Sequence, residues 1–315
     1  MLEIKNEIQR AGKSVSFFEL GAERIKEYEE KGTFAVSQAE SSQLKNIKNF
    51  HGSKDLSFKQ ITVSFIEKFT HYSKTVLKHS KRSTDNHLIL LRTLFNRAIK
   101  EGIVDEKYYP FGKKKIKIKI GSGNKIGLTK EEVLKIEHLV LEPETNLWHS
   151  RNVWLFSFYF AGIRISDVIE MKRSDFKDER IYYIMNKNEK PVSLKIPEKA
   201  KAILKLYINR KNRGFLFHYL NEANLDDKRD IFRKIRNATS LLNDNLKKIA
   251  NLADIDKNLS NHIARHTFGN IAGDSIHPLM LQKLYRHFDL KTTLNYQANF
   301  INKEADEALD SVVDF

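Results

Sequence analysis

Between His262 and Tyr296 the chain concentrates side chains suited to handling a phosphate. The stretch opens His262-Ile263-Ala264-Arg265-His266-Thr267-Phe268. Some twenty residues of mostly helical pattern follow, and it closes His287-Phe288-Asp289-Leu290-Lys291-Thr292-Thr293-Leu294-Asn295-Tyr296. Arginine offers a planar fork of N–H donors to an oxyanion, histidine moves protons near neutral pH, and tyrosine carries a hydroxyl that can attack. That hydroxyl titrates near pH ~10, so it is inert without cations or a base beside it. His262 and His266 stand four apart, a spacing that on a helix can face a metal. No acid follows His262 as His-Glu-x-x-His requires, and the chain has no cysteine to complete such a site. The reading is therefore of a metal-free site.

Composition narrows the partner. Lysine and arginine number 55 against 40 acidic residues, a net charge of +15 on 315 residues. So large a surplus on a chain with 41% hydrophobic residues is the footprint of a globular protein that meets a polyanion. A membrane surface is the competing partner, but no lipidation motif and no long amphipathic basic tail is present. Nucleic acid fits better. The absence of cysteine excludes disulfides, thiolate metal sites and cysteine nucleophiles, and it suits a reducing cytoplasm. Leu2 to Arg10 is charged rather than signal-like, and the longest apolar run, Val153 to Ile163, is too short to span a bilayer.

The elements that must position these residues fall into two regions. Residues 15–112 read as a small basic bundle of four helices, with residues 1–14 as a short lead. The first helix lies in Val15 to Lys31, and Gly32-Thr33 stops it and caps the second, which breaks at His51-Gly52-Ser53. The third runs from about Thr62 to His79 with Phe65, Ile66 and Phe69 inward. The fourth runs from about Ser83 to Glu101 with Leu88, Leu91, Leu94, Phe95 and Ala98 inward. Their polar faces hold Lys74, Lys78, Lys81, Arg82, Arg92 and Arg97. Residues 113–125 read as a basic linker. Lys113 to Ile120 alternates lysine and isoleucine, which predicts an extended segment with a cationic edge and an apolar edge. Lys113, Lys115, Lys117 and Lys119 are thus candidates for phosphate contacts, with a solubilised edge strand as the alternative.

The second region, residues 126–315, begins with Thr129-Lys130-Glu131-Glu132, a capping box. Helices are expected at about 130–141 and 147–161, the latter apolar on most faces and so central. It runs into Ala161-Gly162-Ile163-Arg164-Ile165-Ser166-Asp167. A guanidinium after so apolar a helix needs a partner, and Asp167 is at hand to neutralise it. Residues 180–197 give one strand pair around the turn Lys187-Asn188-Glu189-Lys190-Pro191. Further helices are expected at about 198–209 and 228–253. The tail after Lys303 is acidic and amphipathic, with Leu309, Val312 and Val313 available for burial.

The stretch from His262 to Tyr296 resembles the C-terminal part of the tyrosine recombinase (phage integrase) catalytic domain. There His-x-x-Arg is followed by a second His or Trp, and the nucleophilic Tyr lies nine residues beyond it, as Tyr296 lies nine beyond His287. The Gly162–Asp167 run is similar to that family's first arginine box, and the 187–190 turn to its lysine hairpin. The four amino-terminal helices resemble its SAM-like core-binding domain. One departure stands out: the family usually shows Leu-Gly before the second His, where this chain has Tyr285-Arg286.

The resemblance covers about residues 15–300. It implies a mainly α fold with a small β-sheet, a helical core-binding domain followed by a mixed α+β catalytic domain with a C-terminal tail helix. Function follows as an expectation: site-specific DNA recombination through a 3′-phosphotyrosyl link, with integration, excision or inversion left open. Tyr296 would attack, Arg164 and Arg265 would clamp the phosphate, and His262 would accept a proton or bind the phosphate. His287 would bond the phosphate, and Lys187, with Lys190 the alternative, would protonate the leaving oxygen. Asp167 and His266 would support them. Lys190, Arg82, Arg92 and the linker lysines would touch DNA. No metal, ATP or other cofactor is implied. The implied partners are double-stranded DNA, other protomers in a tetrameric synapse and accessory DNA-bending proteins, with no membrane. A type IB topoisomerase-like enzyme and a catalytically degenerate DNA-binding regulator are the alternatives.

Overall fold

Serine and threonine side chains set five of the α-helix starts among the described residues. Ser16, Thr62, Ser80, Thr129 and Thr145 each accept from the backbone N–H three residues on. Each satisfies one of the amides that a helix N-terminus leaves orphaned. The expected capping box at Thr129 and Glu132 is present, and Ser16 with Glu19 forms another. The structure, a computed structural model, describes residues 15–52, 55–119, 127–185, 191–273, 276–285, 290 and 293–294. Within it the chain divides into two compact units, Met1–Gly123 and Asn124–Phe315.

The first unit holds α1 (Phe17–Glu30), α2 (Phe34–His51), α3 (Val63–Thr75) and α4 (Lys81–Lys100). Phe17, Leu20, Ile47, Ile66, Phe69, Leu91, Leu94 and Phe95 are fully buried at its centre. Each contributes about 1.5–3 kcal/mol relative to an exposed side chain. Two local expectations change. Thr33 does not cap α2 with its side chain; its hydroxyl donates back to the Tyr28 carbonyl. Helix α3 ends at Thr75 rather than His79, because Ser80 opens a new helix and Lys78 takes a left-handed φ of 53° in the turn before it.

The lysine–isoleucine segment keeps its two edges without forming a strand. A turn closed by the Phe111–Ile116 bridge leads into it. Ile116 and Ile118 then pack on the first unit's core, while Lys115, Lys117 and Lys119 are exposed. Lys81 Nζ donates to the Lys119 carbonyl and pairs with Asp85 at 2.7 Å, so the segment's far end is tied to α4.

The second unit is built round α6 (Asn146–Tyr159), which packs against α8 (Glu198–Tyr207), α9 (Lys228–Leu252) and α10 (Asn261–Ala272). Helix α5 (Lys130–His138) precedes it, the six-residue α7 (Ile165–Glu170) follows it, and α11 (Pro278–Tyr285) comes after α10. Val153, Trp154 and Phe156 are wholly buried in α6. The sheet is antiparallel in the order β1 (Phe176–Lys177), β2 (Arg180–Ile184), β3 (Pro191–Lys195), with Ile181 opposite Leu194. It has one strand more than the expected pair, since a two-residue strand carries no periodicity to read. No helix among the described residues is long and apolar enough to cross a membrane.

Candidate active site

The site starts where α6 runs out. Ala161 and Gly162 both take left-handed φ, at 59° and 69°, and turn the chain sharply. Ser157 holds the turn, its carbonyl accepting from Gly162 and Ile163 N–H and its hydroxyl donating to the Ile163 carbonyl at 2.7 Å. A left-handed alanine carries roughly 1 kcal/mol of strain, the kind of cost found where backbone geometry is set by function. Arg164 comes out of this turn as the N-cap of α7, and Asp167 follows three residues on, buried. Arg164 is half-exposed, yet its Nη1 is buried with no hydrogen-bond partner among the described residues.

Helix α10 supplies the second cation. Arg265 is 3% exposed. Its Nη1 donates to the Gly162 carbonyl at 3.0 Å and its Nη2 to the Tyr285 carbonyl at 2.8 Å. The two arginine segments, a hundred residues apart in sequence, therefore touch through Gly162. His262 lies exposed one turn before Arg265, and its ring meets the buried His266 ring edge-on at 4.6 Å. Among the described residues no group of three or more His, Asp or Glu side chains is arranged to hold a metal ion.

Helix α10 is fixed at both ends by contacts that no local pattern announces. At its start, Asn243 Oδ1 on α9 accepts from both the backbone N–H and the side chain of Asn261, at 2.9 and 2.8 Å. The Trp154 indole donates to the Ser260 carbonyl at 3.1 Å. Further along, Thr267 accepts from Leu128 N–H and Asn270 donates to the Leu128 carbonyl. Beside them, a Cβ on Gly127 would come within 2.9 Å of the His266 carbonyl. Trp154, Asn243 and Thr267 thus position the helix that carries His262, Arg265 and His266. Apolar run and helix spacing gave no signal for them.

The remaining expected site residues divide in two. Lys187, Lys190, His287 and Tyr296 lie outside the described residues. In the first unit, Arg82 is exposed and Arg92 half-buried, and Lys113 is exposed with the other linker lysines. Lys115 also donates to the Tyr109 carbonyl. Arg97 is engaged within its own unit, with Glu27 at 2.8 Å and Glu101 at 2.7 Å.

Known families and folds include close counterparts of the chain's two-unit architecture. The phage integrase SAM-like domain matches residues 16–118, and the phage integrase family matches residues 127–303. Among solved structures the chain is similar to a lambda integrase dimer bound to a COC′ core site. The identity is 16%, over 90% of this chain and 77% of that one, with a TM-score of 0.62. It is also similar to XerH site-specific recombinase bound to a palindromic difH substrate, at 20% identity over 88% and 80% and a TM-score of 0.66. The Tn1549 transposon integrase in complex with a circular intermediate DNA gives 14% identity over 93% and 99%, again with a TM-score of 0.66. At such identities the likeness is one of fold. No curated protein matches the chain. The fold is one that this chain shares with these integrases and recombinases. With the catalytic-domain match alone spanning more than half its length, the chain belongs to the phage integrase family.

Proposed function

We propose that the protein is a site-specific DNA recombinase that cuts and rejoins DNA strands through a 3′-phosphotyrosyl intermediate. The observation that carries this reading is the contact between the two arginine segments, Gly162 carbonyl to Arg265 Nη1. Two guanidinium-bearing segments held together by backbone, one with a buried Nη1 that has no partner among the described residues, suit a guest with paired oxyanions.

In the proposed reaction the Tyr296 hydroxyl attacks a DNA phosphorus, forming the P–O(Tyr) bond as the bond to the 5′-oxygen breaks. Arg164 and Arg265 neutralise the non-bridging oxygens, which gather charge in the transition state. His262, exposed beside Arg265, takes the tyrosine proton or bonds the phosphate. Lys187, or Lys190 in its place, gives a proton to the leaving 5′-oxygen, and His287 bonds the phosphate. The phosphodiester energy stays in the link, so a 5′-hydroxyl of a partner strand can reverse the step and complete exchange. Double-stranded DNA and further protomers on it are the partners this requires, acting in the cytoplasm.

The test is covalent trapping on a nicked suicide substrate. The wild-type chain is expected to accumulate a protein–DNA adduct. Tyr296→Phe, which removes only the hydroxyl, is expected to form none while binding the same DNA with affinity within a few-fold. An adduct with the Phe variant would overturn the assignment. Tyr285, the other tyrosine of the stretch, is not available as a substitute nucleophile, because it is wholly buried with its hydroxyl donated to the Arg265 carbonyl.

A further inference from the structure

Tyr285 touches Arg265 in three ways. The guanidinium carbon lies 3.9 Å from the centre of the tyrosine ring. Arg265 Nη2 donates to the Tyr285 carbonyl at 2.8 Å, and the Tyr285 hydroxyl donates to the Arg265 carbonyl at 2.5 Å. One residue thus holds the other at both ends. The hydroxyl pins the backbone of α10, while the ring face and the carbonyl hold the head of the side chain. Tyr285 is itself fixed, 0% exposed and packed with Ala161, Ala272 and Leu281.

We propose that Tyr285 is the positioning residue for Arg265, setting the plane and direction of its guanidinium against the phosphate. The proposal rests on the function proposed above. A guanidinium recognises a phosphate through a flat fork, so its usefulness depends on the plane it is held in. Burial also penalises the cation, and a ring face offsets part of that penalty in a way an aliphatic side chain does not. A leucine at this place would fill the volume but offer neither ring nor hydroxyl. The Gly162 carbonyl accepts from Nη1, so the guanidinium is held by two backbone carbonyls and a ring.

The experiment is a double-substitution cycle read by single-turnover cleavage of the suicide substrate at saturating full-length protein. Tyr285→Leu is expected to lower the first-order cleavage rate at least tenfold, with DNA affinity within about twofold of wild type. Tyr285→Phe, which restores the ring, is expected to recover most of that, leaving about a threefold loss. In an Arg265→Lys background, where no guanidinium remains to be held, Tyr285→Leu is expected to cost less than twofold more. A merely structural role would lower the amount of active protein, or would cost the same factor in both backgrounds. Either result overturns the proposal, as does wild-type cleavage by Tyr285→Leu. Should Tyr285→Leu fail to fold, the same cycle is run with Tyr285→Phe: its threefold loss must vanish in the Arg265→Lys background, and an equal or absent loss overturns the proposal. Wild-type cleavage, measured alongside, tests the recombinase reading separately. Its absence removes that reading, whereas its presence with a null cycle removes only the role of Tyr285.

Discussion

A Cβ placed on Gly162 would lie 2.3 Å from the Arg265 Cα and 2.9 Å from its backbone nitrogen. Two segments remote in sequence therefore meet backbone to backbone, and neither can withdraw without unpicking α6 or α10. Gly162→Ala is expected to lose about 3 kcal/mol of stability, since the left-handed φ and the clash add. Gly102→Ala separates the two terms. Its φ is also positive, at 72°, but nothing lies within 4 Å, so about 1 kcal/mol is expected. Urea denaturation of both variants checks the difference, and cleavage by Gly162→Ala should fall by more than tenfold.

Arg164 weighs against folding. A buried donor left without a partner costs about 1–3 kcal/mol, and among the described residues Nη1 of Arg164 is such a donor. Arg164→Met is expected to raise the unfolding free energy by about 1 kcal/mol and to abolish covalent adduct formation. Arg164→Lys, which keeps the charge and loses the fork, should cleave about a hundredfold more slowly, equivalent to about 2.7 kcal/mol in the barrier. Thermal melts and single-turnover cleavage on the same preparations decide the matter. A less stable Met variant would contradict it.

The exposed lysines of the 113–119 segment should govern salt sensitivity. Each phosphate neutralised contributes about −0.9 to the slope of log K against log salt. Replacing Lys115, Lys117 and Lys119 with alanine is expected to flatten that slope by roughly 1 to 3 units while leaving the preferred sequence unchanged. Fluorescence titrations at several salt concentrations measure this, and an unaltered slope would take the segment out of the interface.

At the far end of α6 from the arginines, His149 is buried and its pKa is held down at about 4, by burial first and by neighbouring His218 second. Glu144 and Arg210 also face it, and its Nδ1 lies 2.9 Å from the Tyr207 hydroxyl, which accepts from Asn152. The folded value lies below the unfolded one of about 6.5, so the unfolded chain binds the extra proton in between. The stabilisation is whole above pH about 6.5 and drains away as pH falls toward 4. His149→Gln should flatten this acid limb by on the order of 2 kcal/mol. Denaturation midpoints at pH 7.5, 6 and 5 test it, and a limb unchanged by the substitution would refute it.

What could be read from the sequence was local. The capping box at Thr129, the apolar stripe of α4 and the largely apolar α6 are each set by residues within a few turns of one another. The same holds for the arginine of the Gly162–Asp167 run and for the His262–His266 spacing. The rest depended on partners far along the chain. Strand β1 is two residues long and exists only because Phe176 finds Ile181. The cap that Asn243 places on α10 and the grip of Tyr285 on Arg265 come from other helices, and no periodicity encodes them. Tyr285 was visible only as an unusual residue before the second histidine, without a reason for being there.

Leu128 is bonded to α10 by both its backbone groups, its N–H to Thr267 and its carbonyl to Asn270, directly after Gly127 packs against His266. Leu128 is thus bonded directly to the helix that carries His262, Arg265 and His266. These three residues therefore ride on a helix fastened to the residues that lead into α5.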